Sequence, residues 1–137
     1  MTRHPRAAHL RPATEKEVVS ACVDRFLLAG WYPVRTEANN IGRGTALRNG
    51  KPRPGALPPG FPDYLFTKGL VGTGLGLVAF VEFKRADGTL TQGQRHQHQL
   101  LNQGYGQAVH VVRSLEEAEA VIALGERLEA LLGKVRP

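Results

Sequence analysis

Three side chains in the middle of the chain have the types and spacing to do chemistry. Leu77–Lys84 begins as an unbroken apolar run and ends Val81-Glu82-Phe83-Lys84. On a strand, alternate side chains share a face. Phe80, Glu82 and Lys84 therefore point one way, and Val81 and Phe83 the other. A carboxylate directly after buried apolar residues is costly unless a cation or hydrogen bonds meet it. Two explanations stand: a structural ion pair at the strand's end, or a bound metal. Asp63 follows Gly60-Phe61-Pro62, near the start of an earlier expected strand. If that strand pairs with Leu77–Lys84 as a hairpin, Asp63 lies beside Glu82 on the same face. Two converging carboxylates repel and need a divalent cation, and oxygen ligands suit Mg²⁺ or Mn²⁺. Such an ion can generate hydroxide from water and stabilise a phosphoryl transition state. Lys84 then orients the water or neutralises developing charge. The parts fit phosphodiester hydrolysis.

The elements that must position these residues follow from the apolar pattern. Thr14–Ala29 reads as a helix, with Val18, Cys22, Phe26 and Ala29 on one side, Thr14 as N-cap and Gly30 as stop. Trp31–Thr36 reads as a strand, and Pro33 places it at a sheet edge. Phe61–Thr67 is a second short strand, Lys68–Gly76 a turn, and Leu77–Lys84 a central strand covered on both faces. Thr91–Gln103 is a polar helix with an apolar seam at Leu100 and Leu101, Gln107–Arg113 a strand and Ser114–Leu132 a final helix. The order α-β-β-β-α-β with a C-terminal helix predicts an α/β fold, a small mixed sheet flanked by helices.

Length and charge bound the rest. The 137 residues suit one domain, expected over 14–132, behind a basic tail at 1–13. Ala38–Gly60 is rich in Gly, Pro and Asn and carries Arg43, Arg48, Lys51 and Arg53 with only Glu37 just before it as an acid. It reads as a long basic loop, either a nucleic-acid contact or a solvated linker. The net charge of +6 and pI of about 10.0 favour a polyanionic partner. No apolar run is long enough for a membrane span, and Met1–Pro12 lacks the apolar stretch of a secretory signal, so an intracellular, cytoplasmic protein is expected. The single Cys22 allows no internal disulfide and no cysteine-based zinc cluster, and reads as buried filler.

Gly60-Phe61-Pro62-Asp63 followed by Glu82-Phe83-Lys84 resembles the PD-(D/E)xK nuclease signature. A leading helix with a glutamate, a basic loop into G-x-P-D, a turn ending Gly88-Thr89-Leu90, Gln94 and a helix ending near Gly104 narrow the likeness. The chain is similar, from about Glu15 to Glu117, to the VRR-NUC family of virus-type replication-repair nucleases in its stand-alone form. The resemblance implies a restriction-endonuclease-like core and metal-dependent endonuclease activity on branched or four-way-junction DNA, by a homodimer. It also implies Gln94 as an active-site helper and a first-helix glutamate, Glu17 in preference to Glu15, as a further metal ligand. Capping boxes explain both residues without chemistry: Thr91 with Gln94, and Thr14 with Glu17.

Arg85 and the loop's basic residues are candidate contacts to the phosphate backbone, which positions DNA without reading its sequence. Arg95 is either a phosphate contact or part of a solvated helix face. Gly72-Thr73-Gly74-Leu75-Gly76 precedes a strand and opens no helix, so it is a hairpin turn and not a phosphate loop. His96 and His98, two apart on a helix, read as surface or DNA-facing residues. The competing expectation is a non-catalytic module that grips DNA with a nuclease-like fold. Such a binder would hold DNA equally in chelator and never cut it.

Overall fold

A computed structural model of the protein describes residues 13–37 and 57–133. The tail up to Pro12 and the loop positions Arg43, Arg48, Lys51 and Arg53 lie outside the described residues. Helix α1 (Glu15–Leu28) starts where Thr14 Oγ1 accepts the Glu17 N–H at 3.2 Å, and Cys22 and Phe26 are its buried residues. Gly30, at φ +90°, then turns the chain into strand β1 (Tyr32–Arg35). Strands β2 (Tyr64–Leu70), β3 (Leu75–Phe83) and β4 (Val109–Val112) complete a four-stranded sheet in the order β1-β2-β3-β4. The first three strands are antiparallel, and β4 runs parallel to β3 after the crossover through α2 (Gln92–Tyr105). Helix α3 (Leu115–Leu132), capped by Ser114, closes the chain. Pro33 does mark an edge strand, since β1 ends the sheet order.

One sheet face makes the core. Phe66, Ala79, Val81, Phe83 and Val112 meet Cys22 and Phe26 of α1 and Ala118, Val121 and Ile122 of α3. Phe26 stacks on Phe66 with ring centroids 3.9 Å apart. Burying this set is the main stabilising term, at about 25 cal/mol per Å² of apolar surface removed from water. Two ion pairs fasten α3 at its flanks: Arg25 with Glu119, and Lys68 Nζ with Glu129 Oε1 at 2.7 Å.

The opposite face is only partly covered, because α1 and α3 both pack on the first. Val78 is 45% exposed, so the expectation of a β3 sheltered on both sides holds at its Glu82 end and fails at its start. The second strand also begins later than Phe61–Thr67. Pro62 has no N–H for a ladder, and Thr36 draws the Pro62 and Asp63 carbonyls with bonds of 2.5 Å from Oγ1 and 2.9 Å from N. The hairpin turn is tighter than expected, Val71 to Gly74, with Gly72 and Gly74 at positive φ. Leu100 is 47% exposed and Leu101 half-buried, so the expected apolar seam of α2 is only half covered; its buried residue is Gln94. Among the described residues no helix is long and apolar enough to cross a membrane.

Candidate active site

The antiparallel register of β2 on β3 pairs Tyr64 with Val81, which brings Asp63, one residue before β2, beside Glu82. Two hydrogen bonds tie Asp63 to the end of β3. The Asp63 N–H donates to Glu82 Oε2 at 3.2 Å, and Asp63 Oδ2 accepts the Phe83 N–H at 3.2 Å. Glu82 is 1% exposed on the half-covered face. Burial first, then the Asp63 charge and a shared hydrogen bond, push its carboxyl up to about 8, against a smaller opposing pull from Lys84. Lys84, next along the same face, anchors its backbone by donating its N–H to Val112 O at 3.0 Å. The expected trio is thus brought together.

Gln94 does two jobs at once. Its Oε1 accepts the Thr91 N–H at 2.9 Å while its backbone N–H donates to Thr91 Oγ1 at 3.1 Å, a complete capping box. Its Nε2 donates to Glu82 Oε1 at 2.7 Å. Capping and site, rival explanations on sequence, are both satisfied, because the amide has one end for each. Because Oε1 is taken by the cap, Nε2 is the end left for Glu82, so the cap fixes which way the amide points.

The glycine of G-x-P-D has a packing reason. Gly60 sits at φ +83°, and a Cβ there would meet Gly93 O at 2.4 Å and Gly93 C at 2.5 Å. The turn before Asp63 therefore presses directly on the first turn of α2, which carries Gln94. This contact registers the two halves of the site against each other.

His98, read in the sequence as surface or DNA-facing, is neither fully exposed nor turned outward. Its side chain is 12% exposed, and its Nε2 stands 3.9 Å from Glu82 Oε2. That Nε2 is buried without a hydrogen-bond partner among the described residues. Desolvation lowers its pKa below the usual histidine value, the Asp63 charge opposing and the Lys84 charge assisting. The signal was present: Gln94 and His98 are four apart and share a helix face. The spacing of His98 from His96 carries no such information, since residues two apart on a helix lie on different faces.

The remaining candidates are placed as follows. Glu17 is exposed in the first turn of α1 and does not join Asp63 and Glu82 in a three-acid cluster. Glu15, from the same turn, acts electrostatically on Arg85. The Arg85 guanidinium is held by Asp87, with Nε to Oδ1 at 2.5 Å and Nη2 to Oδ2 at 2.7 Å. That contact holds the Asp87 carboxyl down at about 2. Arg95 is exposed, with Nη1 donating to Leu90 O at 2.7 Å at the N-terminal end of α2.

The donors suit a divalent cation: a buried carboxylate that burial and Asp63 keep from ionising alone is an oxygen ligand, and an unsatisfied imidazole nitrogen beside it is a donor for a transition metal. Among the described residues, as placed, no three histidine, cysteine or acidic side chains enclose an ion.

A mixed four-stranded sheet flanked by helices is consistent with a restriction-endonuclease-like α/β fold. Among solved structures, a "VRR_NUC domain" superposes with a TM-score of 0.54 and 21% identity, over 81% of this chain and 97% of that one. The chain has the fold of a VRR-NUC domain. No family model and no curated protein matches the sequence.

Proposed function

We propose that the protein is a divalent-cation-dependent endonuclease that hydrolyses phosphodiester bonds in branched or otherwise structured DNA, four-way junctions included. The observation that carries this reading is the pairing of Asp63 with the buried Glu82, Lys84 following on the same strand face. A protein that only gripped DNA would gain nothing from two carboxylates turned toward phosphate. The likeness of 81% of the chain to a VRR_NUC domain supports the same reading.

In this account Asp63 and Glu82 hold Mg²⁺ or Mn²⁺. When bound there, the ion polarises the phosphodiester and lowers the pKa of water. Gln94 Nε2 holds Glu82 Oε1, so that the carboxylate presents its other oxygen to the site. Lys84 supplies positive charge where the phosphoryl oxygens gain negative charge. Arg95, with Arg43, Arg48, Lys51 and Arg53, contacts the DNA backbone. Arg85 joins them only after exchanging Asp87 for phosphate. Such contacts fix position, not sequence, so cutting follows DNA shape. Glu17 is the weakest member of the proposed ligand set. We further propose a homodimer, with the exposed Leu124, Leu128 and Leu131 of α3 as its apolar contact.

The test is cleavage of labelled duplex, single-stranded, flap and four-way-junction DNA in Mn²⁺, Mg²⁺ or chelator, with Asp63→Ala and Glu82→Ala alongside. Metal-dependent cutting lost in both variants is expected. Equal binding in metal and chelator with no cutting would replace this reading with that of a DNA-gripping module. Light scattering on the purified chain reads the oligomeric state.

A further inference from the structure

Beyond the two carboxylates, His98 is a half-buried side chain whose Nε2 is shielded from solvent and serves neither the cap nor the core. We propose that His98 contributes a nitrogen donor to the Asp63–Glu82 site, so that the site favours Mn²⁺ over Mg²⁺. This rests on the proposed function's assignment of a cation to those two carboxylates, and it adds the ligand that sets which cation is preferred.

His98 Nε2 has no hydrogen-bond partner among the described residues, although it is shielded from solvent. Leaving such a group unsatisfied costs about 1–3 kcal/mol, so buried orphans are uncommon and repay explanation. Its nearest polar neighbour is Glu82 Oε2 at 3.9 Å, too long for a hydrogen bond. Two donor atoms on one six-coordinate ion, at bond lengths of roughly 2.1 Å, stand about 3.0 Å apart when adjacent and about 4.2 Å when opposite. The observed 3.9 Å is close enough for both atoms to reach one ion after a shift of a few tenths of an ångström or more. Asp63 is close enough for its charge to act on the imidazole. Among the described residues the three side chains do not enclose an ion, and binding one would draw them together.

The helix holds His98 on the side of the carboxylates. Gln94, one turn earlier on α2, is bonded to Glu82 Oε1 and to the Thr91 cap, and Gly60 presses on the preceding turn. The imidazole therefore faces the carboxylates because its helix is pinned to them. A nitrogen ligand distinguishes the two ions: imidazole suits transition metals, whereas Mg²⁺ prefers all-oxygen surroundings and keeps its waters.

The experiment uses the full chain with Mn²⁺ alone, without DNA. Electron spin-echo spectroscopy of bound Mn²⁺ should show modulation from a directly bonded nitrogen, absent in His98→Gln. Titration should show Mn²⁺ affinity falling on the order of tenfold in His98→Gln, and Mg²⁺ affinity changing by less than about twofold. Thermal melting of His98→Gln keeps misfolding separate from ligand loss, and the wild-type spectrum needs no variant. Mn²⁺ bound in wild type, lost in Asp63→Ala and showing no nitrogen modulation would overturn the role of His98 and leave the carboxylate site standing. No Mn²⁺ binding by the wild type would overturn both.

Discussion

Burying Glu82 beside Asp63 makes the metal-free protein sensitive to pH in a direction that can be worked out. The Glu82 carboxyl is raised from 4.5 to about 8 in the fold, so between those values the folded state holds a proton that the unfolded chain has released. Its stabilising effect is complete below about pH 4.5 and is lost as pH rises through about 8. His98 and His110, whose pKa values burial lowers from 6.5, act the other way, but only below that value. The melting temperature of the chelator-treated protein should therefore fall between pH 6.5 and 8, by roughly 5 °C, and Mn²⁺ should abolish the fall. A flat profile in chelator would mean that Glu82 ionises freely in the fold. The twofold use of Gln94 gives a second expectation at this scale. Gln94→Glu keeps an oxygen for the Thr91 N–H but replaces the donor to Glu82 with a third carboxylate. Helix stability should be nearly retained, while metal-dependent cleavage falls roughly ten- to a hundredfold. Circular dichroism and cleavage rate, measured together, separate the two effects.

At the scale of elements, the site is a meeting of one hairpin and one helix. The β2–β3 register carries Asp63 to Glu82, and the capped start of α2 carries Gln94. Gly60 is where these pieces touch. Gly60→Ala places a methyl group against the Gly93 backbone, which has no flexible end to yield, at a φ that L-residues rarely adopt. A loss of about 1–3 kcal/mol in urea unfolding is expected. Activity should fall further than the loss of folded protein explains, because α2 must shift and Gln94 with it. Unchanged cleavage per folded molecule would show that the turn and the helix are not coupled.

For the molecule as a whole, the decisive contact is between α3 and the chain leaving α1. Gly125 lies buried within α3, and a Cβ there would meet Trp31 Cζ2 at 2.5 Å. Alanine is the better helix former by about 1 kcal/mol, so by propensity alone Gly125→Ala should stabilise. Packing predicts the reverse, since overfilling a core costs typically 1–3 kcal/mol. A lowered melting temperature is expected, and an unchanged or raised one would show that Trp31 moves aside freely. The open half of the second sheet face, with Val78 exposed, places the carboxylate pair at the border of a surface that α1 and α3 leave uncovered.

The sequence by itself determined the element order, the edge position of Pro33, the hairpin that joins Asp63 to Glu82, and the core side of α1. All of these follow from local rules: apolar period, capping residues and strand alternation act over a few residues and are written in the chain order. Tertiary structure alone decided the rest. That Gln94 serves cap and carboxylate together, that His98 turns inward, and that Gly60 and Gly125 are glycines because another segment lies against them are facts about distance between residues far apart in the chain. So is the later start of β2, which Thr36 imposes from β1's end. Periodicity says which face of a helix is apolar. It does not say which polar residue of α2 will be buried, because that depends on where a carboxylate on another strand needs a partner.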